Sequence, residues 1–143
     1  MDDGMTPIAA SAVESAAGYA QSIRVGTYRL TADEPESKGG TATGPTPYAL
    51  LLSALGACTS ITLRMYADRK GWKLGTIDVR LRMLKAKDGR DRIEREIHFG
   101  ASLSAEQRAR LAEIADKTPV TRTIATGAPI ATTVAEAPLG PAE

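Results

Sequence analysis

The chain has 143 residues, 43% hydrophobic and 24% charged, with a formal net charge of +1, which fits a single soluble domain over residues 1–143. Near-neutrality without a long block of one sign gives no electrostatic reason for nucleic acid or a charged membrane as partner. The one cysteine, Cys58, excludes an intrachain disulfide and a cysteine zinc cluster, and no metal or cofactor is expected.

Met1-Asp2-Asp3-Gly4 is acidic and leads into alanines and serines, unlike the basic start and apolar run of a secretory signal, so a cytoplasmic location is expected. Residues 1–17 read as a loose arm or weak strand. Tyr19 to Leu30 has strand composition, with Ile23 and Val25 on one side and Arg24 and Tyr28 on the other. Asp33-Glu34-Pro35 and the run from Gly39-Gly40 to Gly44-Pro45 make a long loop. Its two-glycine spacing is that of a phosphate loop, but Pro45-Thr46 stands where Lys-Ser/Thr is required.

Thr46-Pro47 predicts a helix start, with threonine as N-cap and proline at the first helical position. Gly71 predicts its end after Lys70. The apolar run from Pro47 to Leu63 is shorter than the roughly 20 residues of a membrane span. In its first four turns Leu50, Leu51, Leu55, Cys58, Ile61 and Leu63 leave no polar face. Such a helix must be buried all round, and a chain this short has too few elements to wrap it. A homodimer is therefore expected.

Two alternating strands follow, Ile77, Val79, Leu81 and Met83 on one, Ile93, Ile97 and Phe99 on the other. To keep these on one face, a three-residue loop, Lys87-Asp88-Gly89, must join them. That register sets Arg82 opposite Glu94, Arg80 opposite Glu96 and Asp78 opposite His98. Ser104 and Gln107 form a capping box for a helix carrying Leu111, Ile114 and Ala115. Thr118-Pro119 opens a third helix that should stop at Gly127, and Ile130 to Val134 reads as a last strand. The predicted class is α+β, in the order β-β-α-β-β-α-α-β.

Cys58 is the strongly nucleophilic side chain with a distinctive setting. It lies three turns into its helix, beyond reach of the helix dipole, so a thiolate there would need a cationic neighbour. Arg64, six residues on, sits about 240° round the helix and is expected to pair with Asp68 instead. The only histidine, His98, is expected to serve as a cross-strand partner of Asp78.

The segment from Gly44 to Thr59, GPTPYALLLSALGACT, resembles the central-helix motif around the peroxide-attacking cysteine of the OsmC/Ohr family of thiol peroxide-reducing proteins. Asp33-Glu34-Pro35, Gly39-Gly40, Arg64-Met65-Tyr66-Ala67 and Lys70-Gly71-Trp72 are similar to its flanking features, and Thr118 to Thr123 resembles the segment around its second cysteine. The resemblance covers about residues 19–134. It implies an OsmC-like fold and an intertwined dimer with the central helices between sheets and sites at the subunit interface. It further implies Cys58 as nucleophile, an arginine from an early strand (Arg24 or Arg29) beside it, a peroxide substrate and a thiol reductant. Three positions depart from the pattern: Thr118 replaces the second cysteine, Thr121 a histidine and Ala49 a glutamate. A one-cysteine peroxidase using an external thiol is the leading expectation. The alternative is a non-enzymatic dimer that binds a small hydrophobic ligand in an interfacial cleft.

Overall fold

A computed structural model of the chain describes residues 4–138 and 140. Its elements are β1 (Ala12–Glu14), β2 (Gln21–Val25), β3 (Tyr28–Ala32), a short 3-10 turn (Glu36–Lys38), α1 (Pro47–Lys70), β4 (Ile77–Lys85), β5 (Asp91–Phe99), α2 (Ala105–Ala115) and α3 (Pro119–Thr126). The class is α+β, with an antiparallel sheet β1-β2-β3 and a separate β4-β5 hairpin.

Two strands differ from the sequence reading. Tyr19 to Leu30 is not one strand: Gly26, at φ 60, turns the chain so that Val25 faces Tyr28. Tyr28 therefore shares the face of Ile23 and Val25, not that of Arg24. Ile130 to Val134 forms no strand, and both end residues are exposed. Alternation makes a strand only where a neighbouring edge accepts its hydrogen bonds, and among the described residues no edge pairs with this segment.

The caps of α1 are as predicted. Thr46 Oγ1 accepts the Ala49 N–H at 3.2 Å, and Gly71 ends the helix in the left-handed region at φ 71. Leu55, Thr59, Leu63 and Ala67 recur every four residues and form its buried stripe. They pack toward β4, α2 and α3, around a core of Leu63, Ala67, Leu74, Leu111 and Ala115. One side of the helix stays open: Leu51, Ile61 and Met65 are 38%, 57% and 56% exposed. By length and composition α1 could cross a membrane, which the shorter count from Pro47 to Leu63 did not anticipate. Its buried stripe instead forms part of a protein core.

The β4-β5 register is as predicted, with Arg82 opposite Glu94, Arg80 opposite Glu96 and Asp78 opposite His98. Gly89, at φ 86, closes the three-residue loop. Only one of the three charge pairs forms across the strands, Arg82 to Glu94 at 2.7 Å. Arg80 turns along its own strand to Asp78 at 3.0 Å, and His98 to Glu96 at 2.8 Å. A residue two positions along an exposed strand face is as reachable as the one opposite, and each such pair contributes only about 0.2–1 kcal/mol.

The loop before α1 is organised by Asp33, which is buried. Its carboxylate accepts the hydroxyls of Thr41 and Thr43 at 2.6 and 2.7 Å and the N–H groups of Glu34 and Thr43 at 2.7 and 3.1 Å. Its own N–H donates to the Pro45 carbonyl at 3.0 Å, next to the Thr46 cap. Gly40 has no room for a side chain here, since a Cβ would stand 2.0 Å from the Glu34 carbonyl oxygen. The threonine hydroxyls, joined by the backbone donors, hold the Asp33 carboxyl well below the usual carboxylate range. A group with a depressed folded-state pKa stabilises the fold above its unfolded value, about 3.9 for aspartate, and that contribution fades as pH falls through the folded value. Asp33→Asn is expected to lower the thermal midpoint at pH 7 and to flatten its decline below about pH 4. Parallel melting-point curves for the two proteins from pH 7 to pH 2 would contradict this.

Candidate functional site

At about 100° per residue, Leu51, Ala54, Ile61 and Met65 all lie within about 60° of Cys58 around α1. Cys58 thus sits in the middle of the uncovered apolar stripe. It is half-buried rather than largely buried, and among the described residues no hydrogen bond or ion pair reaches its thiol.

Arg24 and Arg29 face each other across β2 and β3, and both are exposed. Strand parity puts them on the face opposite Val13, Ile23 and Leu30, which are themselves in register. Like charges opposite each other on a sheet repel, and among the described residues neither arginine meets a carboxylate. The β1-β2-β3 sheet makes no substantial packing contact with α1 or with β4-β5. One protomer therefore does not bring either arginine to Cys58. Arg64 donates to the Gly75 carbonyl at 2.7 Å rather than to Asp68, and His98 stays on the polar face of β5.

Arg95, which the sequence reading passed over, reaches the buried stripe of α1 at Thr59, whereas Lys85 and Arg110 meet α1 at the rings of Tyr48 and Tyr66. Ile93, Ile97 and Phe99 point inward from β5, so residue 95 must point inward too. Its side chain is only 13% exposed. Nη1 donates to Thr59 Oγ1 and Thr121 Oγ1, both at 2.9 Å. Nη2 donates to the Ala115 carbonyl at 3.0 Å and, at 3.4 Å, to Asp116 Oδ1. Arg95 therefore joins α1, α2 and α3, and its charge sits at the C-terminal turn of α2, where a cation is favoured. Thr121 is also bonded to Thr118 Oγ1 at 2.6 Å. Thr118 caps α3 through the Thr121 N–H, and Ala49 supplies the N–H that Thr46 caps. The three departing positions are thus built into helix caps and the arginine node.

Beside this node lies a groove of about 800 Å³, within the size range of small-molecule sites. Its walls are mostly apolar, among them Leu51, Leu55, Met83, Ile93 and Ile124, with Arg95 and Thr121 as polar groups from the node and the charged Asp91, Arg92 and Asp116 also lining it. No group of three or more His, Cys, Asp or Glu side chains among the described residues could hold a metal ion.

The sequence model for OsmC-like proteins matches residues 39–133. The chain belongs to the OsmC-like protein family. The matched region holds Cys58, Arg95, Thr118 and Thr121, and β1 to β3 with Arg24 and Arg29 precede it. No curated protein matches the sequence significantly. Solved structures carry the same fold. A protein from Psychrobacter arcticus assigned to the osmotic-stress and detoxification response superposes with a TM-score of 0.73 at 16% identity, covering 83% of this chain and 90% of its own. An OsmC-like protein from Mycoplasma pneumoniae gives 0.66 at 19% identity, covering 85% and 89%. The organic hydroperoxide resistance protein OhrB of Bacillus subtilis gives 0.58 at 20% identity, covering 81% and 89%. At these identities the likeness establishes the OsmC fold and nothing finer.

Proposed function

We propose that this OsmC-like protein is a cytoplasmic homodimer that reduces hydrogen or organic peroxides with one cysteine. The Cys58 sulfur attacks a peroxide oxygen, an S–O bond forms as the O–O bond breaks, and the alcohol or water leaves with a proton. Cys58 becomes a sulfenic acid. Thr118 offers no second thiol, so an external thiol attacks the sulfenic sulfur and releases water. A second external thiol then frees Cys58 and leaves as a disulfide. The position of Cys58, central in the uncovered stripe of α1, carries this reading: a second copy closing over that stripe would make a dry chamber around the sulfur. Its Arg24 or Arg29, which meet no carboxylate among the described residues, would be the available cations.

Parity sets a condition. The second copy's sheet must turn its arginine face toward Cys58, because its other face presents Val13, Ile23 and Leu30. If that apolar face covers the stripe, Cys58 is a packing residue and the dimer is a binding protein for a hydrophobic ligand. That no hydrogen bond or ion pair from a cation reaches Cys58 among the described residues of one protomer favours this second reading.

Stopped-flow mixing of the reduced protein with an alkyl hydroperoxide, followed by mass spectrometry, tests the choice. The expected result is rapid sulfenic acid formation at Cys58, absent in Cys58→Ser. A thiol that reacts no faster than free cysteine would leave the binding protein as the surviving reading.

A further inference from the structure

We infer that the groove beside Arg95 is a binding site for a carboxylate carrying an apolar chain or ring, and that it works independently of the Cys58 thiol. The case begins with charge. Burying a guanidinium is costly unless a counter-ion accompanies it, yet the carboxylate within reach of Arg95 is that of Asp116, at 3.4 Å and with a side chain 82% exposed. Thr59, Thr121 and the Ala115 carbonyl satisfy hydrogens but supply no negative charge.

The free donor points the same way. Four N–H groups of Arg95 cover these contacts, and Nε–H has no partner among the described residues. No buried side-chain nitrogen is left without a partner, so this N–H must open to the space beside it. Arg95 lines two hollows, this groove, with Leu55, Ile93, Ile97 and Ile124, and a smaller one of about 200 Å³ among charged residues of β4 and β5, and the apolar groove is the one with room for a ligand body. An incoming anion would meet the Nε–H and the uncompensated charge, while its body lay along leucine and isoleucine side chains.

The ligand class follows from the inventory. Arg92 and Asp91 also line the groove but are paired with Glu94 and Lys85, so the one weakly matched positive charge and one free donor of Arg95 suit a singly charged carboxylate better than a phosphate, whose second charge would go unmatched. Asp116 is the built-in competitor: it lies at the groove rim and lines it, and its exposure lets it swing aside when a stronger partner arrives.

Calorimetric titration of the full-length reduced protein with decanoate, decan-1-ol and acetate tests the site. Decanoate is expected to bind at least about tenfold more tightly than decanol, the margin of a charge-assisted hydrogen bond, with acetate too small to register. Cys58→Ser should bind decanoate unchanged, which separates this site from the peroxide chemistry. Asp116→Asn should bind it several-fold more tightly, because the competing carboxylate is gone. Arg95→Lys should lose most of the affinity. Ile124→Trp, which fills the groove and leaves every Arg95 hydrogen bond in place, should lose it with the fold intact by circular dichroism. Equal affinities for decanoate and decanol, no effect of Asp116→Asn, or no heat with any probe would overturn the assignment.

Discussion

Arg95→Met is expected to lower the unfolding free energy by about 2–4 kcal/mol, with little change in the urea dependence of the transition. Three of the four acceptors lie in the protein interior: Thr59 Oγ1, Thr121 Oγ1 and the Ala115 carbonyl. A hydrogen bond from a charged donor is worth roughly 1.5–3 kcal/mol, so a simple sum over them would exceed the stated range. Two effects reduce it. Methionine keeps much of the buried apolar volume, and removing the guanidinium also removes its desolvation cost. What remains is a carbonyl at the end of α2 without its cation and two threonines whose mutual bonding must rearrange. Thr121→Val acts on the same node, so the double substitution should cost less than the sum of the single ones. Equilibrium urea unfolding of the four proteins measures both quantities. A strictly additive cycle would show that Arg95 and Thr121 do not act together.

What the sequence revealed divides along physical lines. The limits of α1, the capping box of α2 and the proline start of α3 rest on hydrogen bonds within a few residues, so Thr46, Ser104 and Thr118 announce them directly. The β4-β5 register is a parity condition, and counting was enough. The partners of Arg80 and His98 were not legible, because several exposed carboxylates are equally near and the energy differences are small. The turn at Gly26-Thr27 was missed for want of an Asn-Gly or Asp-Gly signal, and the misplacement of Tyr28 followed from it. Arg95 was legible and overlooked: the rule that turned Ile93 and Ile97 inward turned Arg95 inward with them. Which side of α1 stays open was out of reach, because a helix without a polar face shows no preference until its neighbours are placed. The same limit applies to Arg24 and Arg29, which one protomer does not bring to Cys58.

The wild-type protein should sediment as a dimer at micromolar concentration, and Ile61→Glu should raise its dissociation constant by about 30- to 1000-fold. The chain exposes 11448 Å², whereas a compact monomer of 15.1 kDa is expected to expose about 7,100 Å². The exposed stretches 4–11 and 128–138 account for part of the excess. The remainder includes apolar surface of a kind that proteins cover: Leu51, Ile61 and Met65 on α1, and Val13, Tyr28 and Leu30 on the β1-β2-β3 sheet. That sheet also leaves both its outer edges unpaired among the described residues, so a second copy can satisfy backbone and side chains together. An interface of this extent should exceed the roughly 1,600 Å² of a standard complex. Ile61 lies near its centre, close to Cys58, where a central hot-spot residue is worth about 2–4 kcal/mol, which corresponds to the stated range. A buried, unpaired glutamate should reach the upper end. Lys87→Glu, in the exposed β4-β5 loop, makes a similar change of charge away from the stripe and should leave association untouched. Equilibrium sedimentation of the three proteins separates the cases, and a folded wild-type monomer at micromolar concentration would mean that α1 tolerates its open face in water. Cys58 would then lie beside solvent, without the closed chamber that peroxide reduction at this site requires.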